Sequence, residues 1–164
     1  MSSSTVDTTV QRSVLGLVVF GIEGQRYALP LSIVEQVVPM VAVSPLPQAP
    51  IVALGVINLH GTIIPVLDIR RRFGFPPRDY GLTSQLLVAR TTRRTLALPV
   101  DEVAGVMEVP GDAVTPADKV LPGIGHVAGI VALADGLLFI HDLDTFLSLD
   151  EERQLAAALG EAER

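Results

Sequence analysis

GVINLHGTIIPVLDIRRRFG, residues 55–74, carries the pattern that decides the fold. Two apolar runs, 55–59 and 62–67, flank a polar knuckle, Asn58-Leu59-His60-Gly61. The runs are rich in Val and Ile, which favour strands. Gly61 can supply the positive φ that a tight hairpin turn demands. After the second run Asp68 stands where a helix N-cap belongs, and Gly74 with Pro76-Pro77 ends the helical turn that it opens. The stretch therefore reads as a β-hairpin followed by one capped turn of helix. Whether the knuckle is a plain turn or a contact surface is left open by its residues.

The pattern occurs twice. Shifted by 74 positions, Gly55, Leu59, Ile64 and Asp68 fall on Gly129, Leu133, Leu138 and Asp142 of GIVALADGLLFIHDL. Shifted by 69, Ala28-Leu29-Pro30, Val34 and Val37 fall on Ala97-Leu98-Pro99, Val103 and Val106. Each half then offers about five short strands: 15–22, 26–29, 34–43, 52–59 and 62–67, then 85–91, 95–98, 104–109, 127–133 and 137–140. Glu23-Gly24 and Asp135-Gly136 have hairpin-turn chemistry. The Pro that follows each Ala-Leu pair is expected to end its strand, because it donates no ladder hydrogen bond. Strands so few and short per half point to an all-β protein of two packed five-stranded barrels with short helical turns. The predicted organisation is a disordered tail over 1–12, a domain over 13–149 and a C-terminal helix over 150–164. The domain divides into approximate halves 13–75 and 83–149, with strand exchange between them left open. Asp150 is the expected cap of the last helix, and its thin apolar stripe centres on Leu155 and Leu159.

Composition narrows the function. The 164 residues are 49% hydrophobic and 18% charged, enough to fill a core. A net charge of −6 argues against nucleic acid, which needs a basic stripe to displace counterions. The absence of Cys excludes disulfides and thiolate-bound metals. The polar N-terminus lacks the apolar core of a signal peptide, and no run approaches the ~20 apolar residues of a membrane helix. A cytoplasmic protein without direct membrane insertion is the expectation.

No catalytic constellation emerges. The three histidines, His60, His126 and His141, stand in no HExxH arrangement, and neither GxSxG nor a phosphate-cradling glycine loop is present. His141-Asp142-Leu143-Asp144 could be a metal cluster, but Asp142 repeats Asp68, and both read better as helix caps. Gly123-Ile124-Gly125 mimics a dinucleotide loop without opening a long helix. Glu35, among apolar neighbours, reads by default as a solvated edge residue, with a contact as the alternative. No enzyme activity, cofactor or metal is expected. The residues by themselves lead as far as a binding or coupling module.

From YALPLSIVEQVV through SPLPQAP, the opening stretch, LALPVDEVAGVMEV and the closing GIVALADGLLFIHDLDTFL, the sequence resembles the CheW family of chemosensory adaptors. The resemblance spans about residues 15–149 and implies two SH3-like barrels. It implies a non-enzymatic adaptor that couples methyl-accepting chemoreceptors to a histidine kinase. The kinase's regulatory domain would bind edge to edge between barrels. The receptor's cytoplasmic tip would lie near the groove between barrels, bringing the protein to the inner face of the membrane, and self-association in array rings is a further implied contact. Neither a receiver nor a kinase catalytic domain is expected alongside it. By motif, Val34, Glu35 and Val37 match the receptor-side segment, and Asn58, His60 and Gly61 match the knuckle. The family's usual Asn-Leu-Arg-Gly is here Asn-Leu-His-Gly, which exchanges a permanent, fork-shaped cation for a shorter ring. That exchange keeps in view an adaptor of a pilus-motility or other alternative array; a separate reading, from a different class, is a barrel that binds or hydrolyses a small ligand through His60, His126 or His141.

Overall fold

The structure, a computed structural model, describes residues 13–76, 78–81, 83–120 and 125–161. The expected tail over 1–12 and the last three residues of the expected helix lie outside them. Apolar alternation builds the strands β1 (Val14–Ile22), β2 (Gln25–Pro30), β3 (Val34–Pro39), β4 (Ala53–Leu59) and β5 (Thr62–Leu67). A short helix α1 (Ile69–Arg72) follows. Then come β6 (Gln85–Arg90), β7 (Thr95–Val100), β8 (Glu102–Pro110), β9 (Val114–Pro116), helix α2 (Ala117–Val120), β10 (Val127–Leu133), β11 (Gly136–His141) and helix α3 (Leu149–Ala158).

The sheets do not follow the two halves of the sequence. One has the order β8-β1-β2-β11-β10-β9 and the other β3-β6-β7-β5-β4. Each repeat keeps its first hairpin and hands its remaining strands to the hairpin of the other. The exchange is reciprocal to the residue. Val18 pairs with Val106, and the equivalents of those two residues at the 69-residue offset, Leu87 and Val37, pair with each other. Ala28 meets Ile140, and Val66 meets Ala97, in the two parallel registers. Even the irregularities repeat: β3 bulges at Glu35 and β8 at Ala104, positions that are 69 apart.

Both sheets close into barrels by the same device. After β8 the chain turns and runs on as β9, which pairs with β10 and shuts the first barrel. After β3 it bends and makes a bridge from Ser44 to Val56, which shuts the second. Strand β3 consequently stops at Pro39, short of the expected 43, and β9 has no counterpart among the strands anticipated from sequence. The repeated glycines serve the closure. A Cβ on Gly55 would sit 2.0 Å from the Ser44 carbonyl oxygen, and one on Gly129 would sit 2.5 Å from Val114 Cγ1. Only glycine lets the closing segment pass so near.

Three cores follow from strand alternation. Leu17, Val19, Ala28, Val131, Leu138 and Ile140 fill the first barrel. Their repeat equivalents, Leu86, Val88, Ala97, Ile57, Ile64 and Val66, fill the second. The opposite faces of the same strands, with Val18, Phe20, Leu29, Leu87, Leu96 and Leu98 among them, meet in a central core between the barrels. Helix α3 docks there, burying Leu155.

Four local expectations need correction. Helix α3 is capped by Ser148, not Asp150: Ser148 Oγ accepts from the Glu151 N–H, and the Glu151 carboxylate accepts from the Ser148 N–H. This reciprocal box satisfies two donors at once, which a lone aspartate cannot do. Asp68 caps α1 through the Arg70 N–H, but the side chain of Asp142 makes no such bond. The β10–β11 turn is Ala134-Asp135 rather than Asp135-Gly136, one residue earlier. Strand β7 runs past Pro99 to Val100 because its parallel partner β5 is registered only at Ala97, so no ladder bond on that side is lost.

Candidate docking site

The knuckle closes the β4–β5 hairpin, whose last pair is Leu59 with Thr62. His60 and Gly61 have φ of 53° and 89°, the left-handed pair of a two-residue turn that matches strand twist. Asn58 stabilises the turn by accepting the Gly61 N–H on Oδ1 at 2.8 Å. Asn58, His60 and Gly61 are all exposed. Among the described residues His60 makes no hydrogen bond and no ion pair. The equivalent tip of the first barrel differs: Asp135 there is tied to Arg26 at 2.6 Å. The knuckle thus presents an imidazole that the described residues neither hydrogen-bond nor pair with a charge.

Val34, Glu35 and Val37 lie on β3, at the edge of the second sheet. Val34 packs against the central core, and Val37 is exposed. The bulge at Glu35 turns its carboxylate to Arg90 on β6, with Oε2 at 2.9 Å from Nη2 and 3.0 Å from Nε. Glu35 is therefore neither free nor solvated alone, and the more exposed charge of the pair is the guanidinium. All six candidate residues fall on the second barrel, distributed between strands at its two edges. By register the start of β3 and the β4–β5 tip share one end of that sheet with the β6–β7 turn.

Two features escape residue-by-residue reading. Val37 on β3 and Ile63 on β5 are exposed apolar residues, and so are Val106 on β8 and Leu137 on β11. Each of the second pair is the repeat equivalent of one in the first, so both barrels offer the same apolar positions. The offsets of 69 and 74 were the signal that could have found them. The other feature is a cavity of about 240 Å³ lined by Pro30, Ala128 and His141 from the first barrel, Arg90 from the second, and Ile33 between them.

The histidines do not converge into a site. His60 is at a tip of the second barrel. His126, with φ 66°, donates from Nδ1 to the Thr145 carbonyl oxygen at 2.7 Å. His141 is 2% exposed, with its ring centroid 4.8 Å from that of Tyr27 and 5.2 Å from that of Phe73. Among the described residues neither ring nitrogen has a hydrogen-bond partner, and burial pushes its pKa down to about 4. Among the described residues no three metal-ligating side chains gather, and no helix is long and apolar enough to cross a membrane.

Residues 16–151 match the CheW-like domain. The chain belongs to the CheW family. It is accordingly a chemotaxis-type adaptor. Similar proteins include a probable chemotaxis protein CheW of Rhizobium etli, 26% identical over 82% of this chain and 88% of that protein. The chemotaxis protein CheW of Thermotoga maritima is 30% identical over 78% of this chain and 84% of its own length. Protein FrzA of Myxococcus xanthus is 27% identical over 85% and 88%. Among solved structures, the scaffolding protein TtCheW of Thermoanaerobacter tengcongensis superposes with a TM-score of 0.77 at 28% identity, covering 85% of this chain and 96% of that one. The two SH3-like barrels expected of a CheW-like chain agree with this likeness and with the two closed sheets.

Proposed function

We propose that this CheW-like protein is a non-enzymatic coupler that joins the cytoplasmic tip of a chemoreceptor to the regulatory domain of a histidine kinase. The reading rests on the family match across residues 16–151. Exposed apolar positions repeated on two barrels support it, because a coupler needs two docking surfaces and no reaction centre. Val34, Glu35 and Val37 are assigned to the receptor side, with Arg90 as the charge that accompanies Glu35. Asn58, His60 and Gly61 are assigned to a partner contact. The protein acts in the cytoplasm and is held at the membrane through receptors. Self-association in array rings belongs to the same reading.

Co-sedimentation tests it. With receptor-bearing vesicles the protein pellets, and kinase pellets with them only when the protein is present. Kinase that pellets equally without it, or a protein that stays in the supernatant throughout, overturns the reading. A second reading, service in an alternative chemosensory array, is favoured by the likeness to FrzA and by His60 in the place of the family's Arg. Repeating the sedimentation with receptors from each array of the host separates the two.

A further inference from the structure

The barrels meet at two repeat-equivalent junctions, and these are built differently. Arg70 of α1 is equivalent to Asp144, 74 positions on, and Glu23 of the β1–β2 turn to Thr92 of the β6–β7 turn, 69 positions on. At the first junction Arg70 is 1% exposed. Its Nη2 donates to Asp101 Oδ1 at 2.7 Å and to Oδ2 at 3.0 Å, and Nη1 faces the Glu23 carboxylate. Asp101 also accepts the Glu23 N–H at 3.0 Å and donates its own N–H to the Gly21 carbonyl at 3.0 Å. The Tyr80 ring covers the guanidinium at 5.7 Å, while its hydroxyl donates to the Asp68 cap at 2.6 Å. One cation thus ties the helical turn that leaves the second barrel to a hairpin turn of the first. At the other junction, among the described residues, Asp144 accepts the Thr92 N–H at 2.8 Å, and the 240 Å³ cavity opens beside it.

We propose that Arg70 is a positioning residue that latches the closed junction and so fixes the width of the cavity at the open one. The cavity takes its walls from both barrels, so any rocking about the central core changes its mouth. A guanidinium whose Nη2 donates to both oxygens of one carboxylate, and whose Nη1 faces a second, resists such rocking in a way that apolar packing, which is non-directional, does not. Breaking a buried pair from one side leaves charge unpaired, so the latch has a defined closed state. The functional half of this inference rests on the coupling role proposed above: the receptor tip occupies the composite groove and depends on the latch, while the kinase domain meets a barrel edge and does not.

The chain has no cysteine, so spin labels on Gln36→Cys in the second barrel and Ala128→Cys in the first report the inter-barrel distance without background. Pulsed dipolar spectroscopy on the full chain is expected to give a narrow distribution that broadens in Arg70→Met. Because Arg70→Met strands two carboxylates, the charge-free combination Arg70→Met, Glu23→Gln and Asp101→Asn is measured beside it and should broaden likewise while remaining folded. Arg70→Lys, a point charge without the fork, should fall between. A receptor-tip fragment should bind the charge-free variant about tenfold more weakly, within the usual span of coupling between separated sites, with kinase-domain affinity unchanged. Distributions as narrow as native in both Met variants overturn the latch. Equal loss of both partners also overturns it, since that is what simple destabilisation does. If the native protein binds no receptor fragment, the coupling role fails, while the distance measurement still decides the latch.

Discussion

Replacing His141 with leucine should make the protein less sensitive to acid. The ring is buried among Tyr27, Phe73 and Phe20 with neither nitrogen bonded, and the same position in the other barrel, 74 residues earlier, is the fully buried Leu67. Burial holds the folded-state pKa at about 4, against ~6.5 for a histidine in an unfolded chain. Between those values the unfolded state binds a proton that the folded state refuses. Stability contributed by this group is therefore complete near neutrality and falls as pH drops through the window from ~6.5 to about 4. At ~1.36 kcal/mol per unit, the loss between about pH 7 and about pH 4.5 is about 2 kcal/mol. Urea unfolding of the native protein and of His141→Leu at both pH values isolates this contribution, since carboxylates that titrate nearby are common to both. The native protein should lose about 2 kcal/mol more than the variant. Equal losses would mean that His141 is solvated or paired in the folded protein, and the burial argument would fall.

The closing glycines should differ in cost. Gly55→Ala drives a methyl into the Ser44 carbonyl oxygen, which cannot rotate away, whereas Gly129→Ala meets a Val114 methyl that can, so thermal melts should show Gly55→Ala losing more. In the barrel cores, Ile64→Ala and Leu138→Ala should each cost about 2–5 kcal/mol by urea titration, and unmoved midpoints would contradict the core assignment. Ser148→Ala removes one arm of the capping box and should cost about 1 kcal/mol, visible as earlier amide exchange in the first turn of α3. His60→Ala should leave the melting temperature in place yet weaken partner binding by about 1 kcal/mol, roughly fivefold, in calorimetry against receptor and kinase fragments. Equal affinities for the native protein and His60→Ala would return His60 to an ordinary turn residue.

Much of this was legible because apolar alternation and turn chemistry are local signals. The β4–β5 and β10–β11 strands, the Asp68 cap and the pairing of Gly55 with Gly129 could all be read directly. What those glycines are for could not, since the Ser44 carbonyl that approaches Gly55 is brought there only by barrel closure. Strand β9 was missed for the same reason: Val114–Pro116 is only three residues long, too short to show alternation, and is extended because it pairs with β10. In the docking region, Glu35 and His60 could be singled out from sequence. The Arg90 that captures Glu35 could not, because a bulge moves the carboxylate off the face that strict alternation assigns to it. The Arg70 triad joins residues from three separated segments, and nothing in an Arg-Arg-Arg run says which member is buried.

The reciprocal trade of strands bears on how such a chain is made. During synthesis the first repeat emerges with β1–β2 and β4–β5, but the strands that lie between β3 and β5, namely β6 and β7, come later. The first barrel waits longer still, for β8 through β11. Neither repeat can close on itself, so a nascent chain holds open sheet edges until nearly all of it has left the ribosome. The exchange makes closure an event between the two halves of one polypeptide, complete only once both are present.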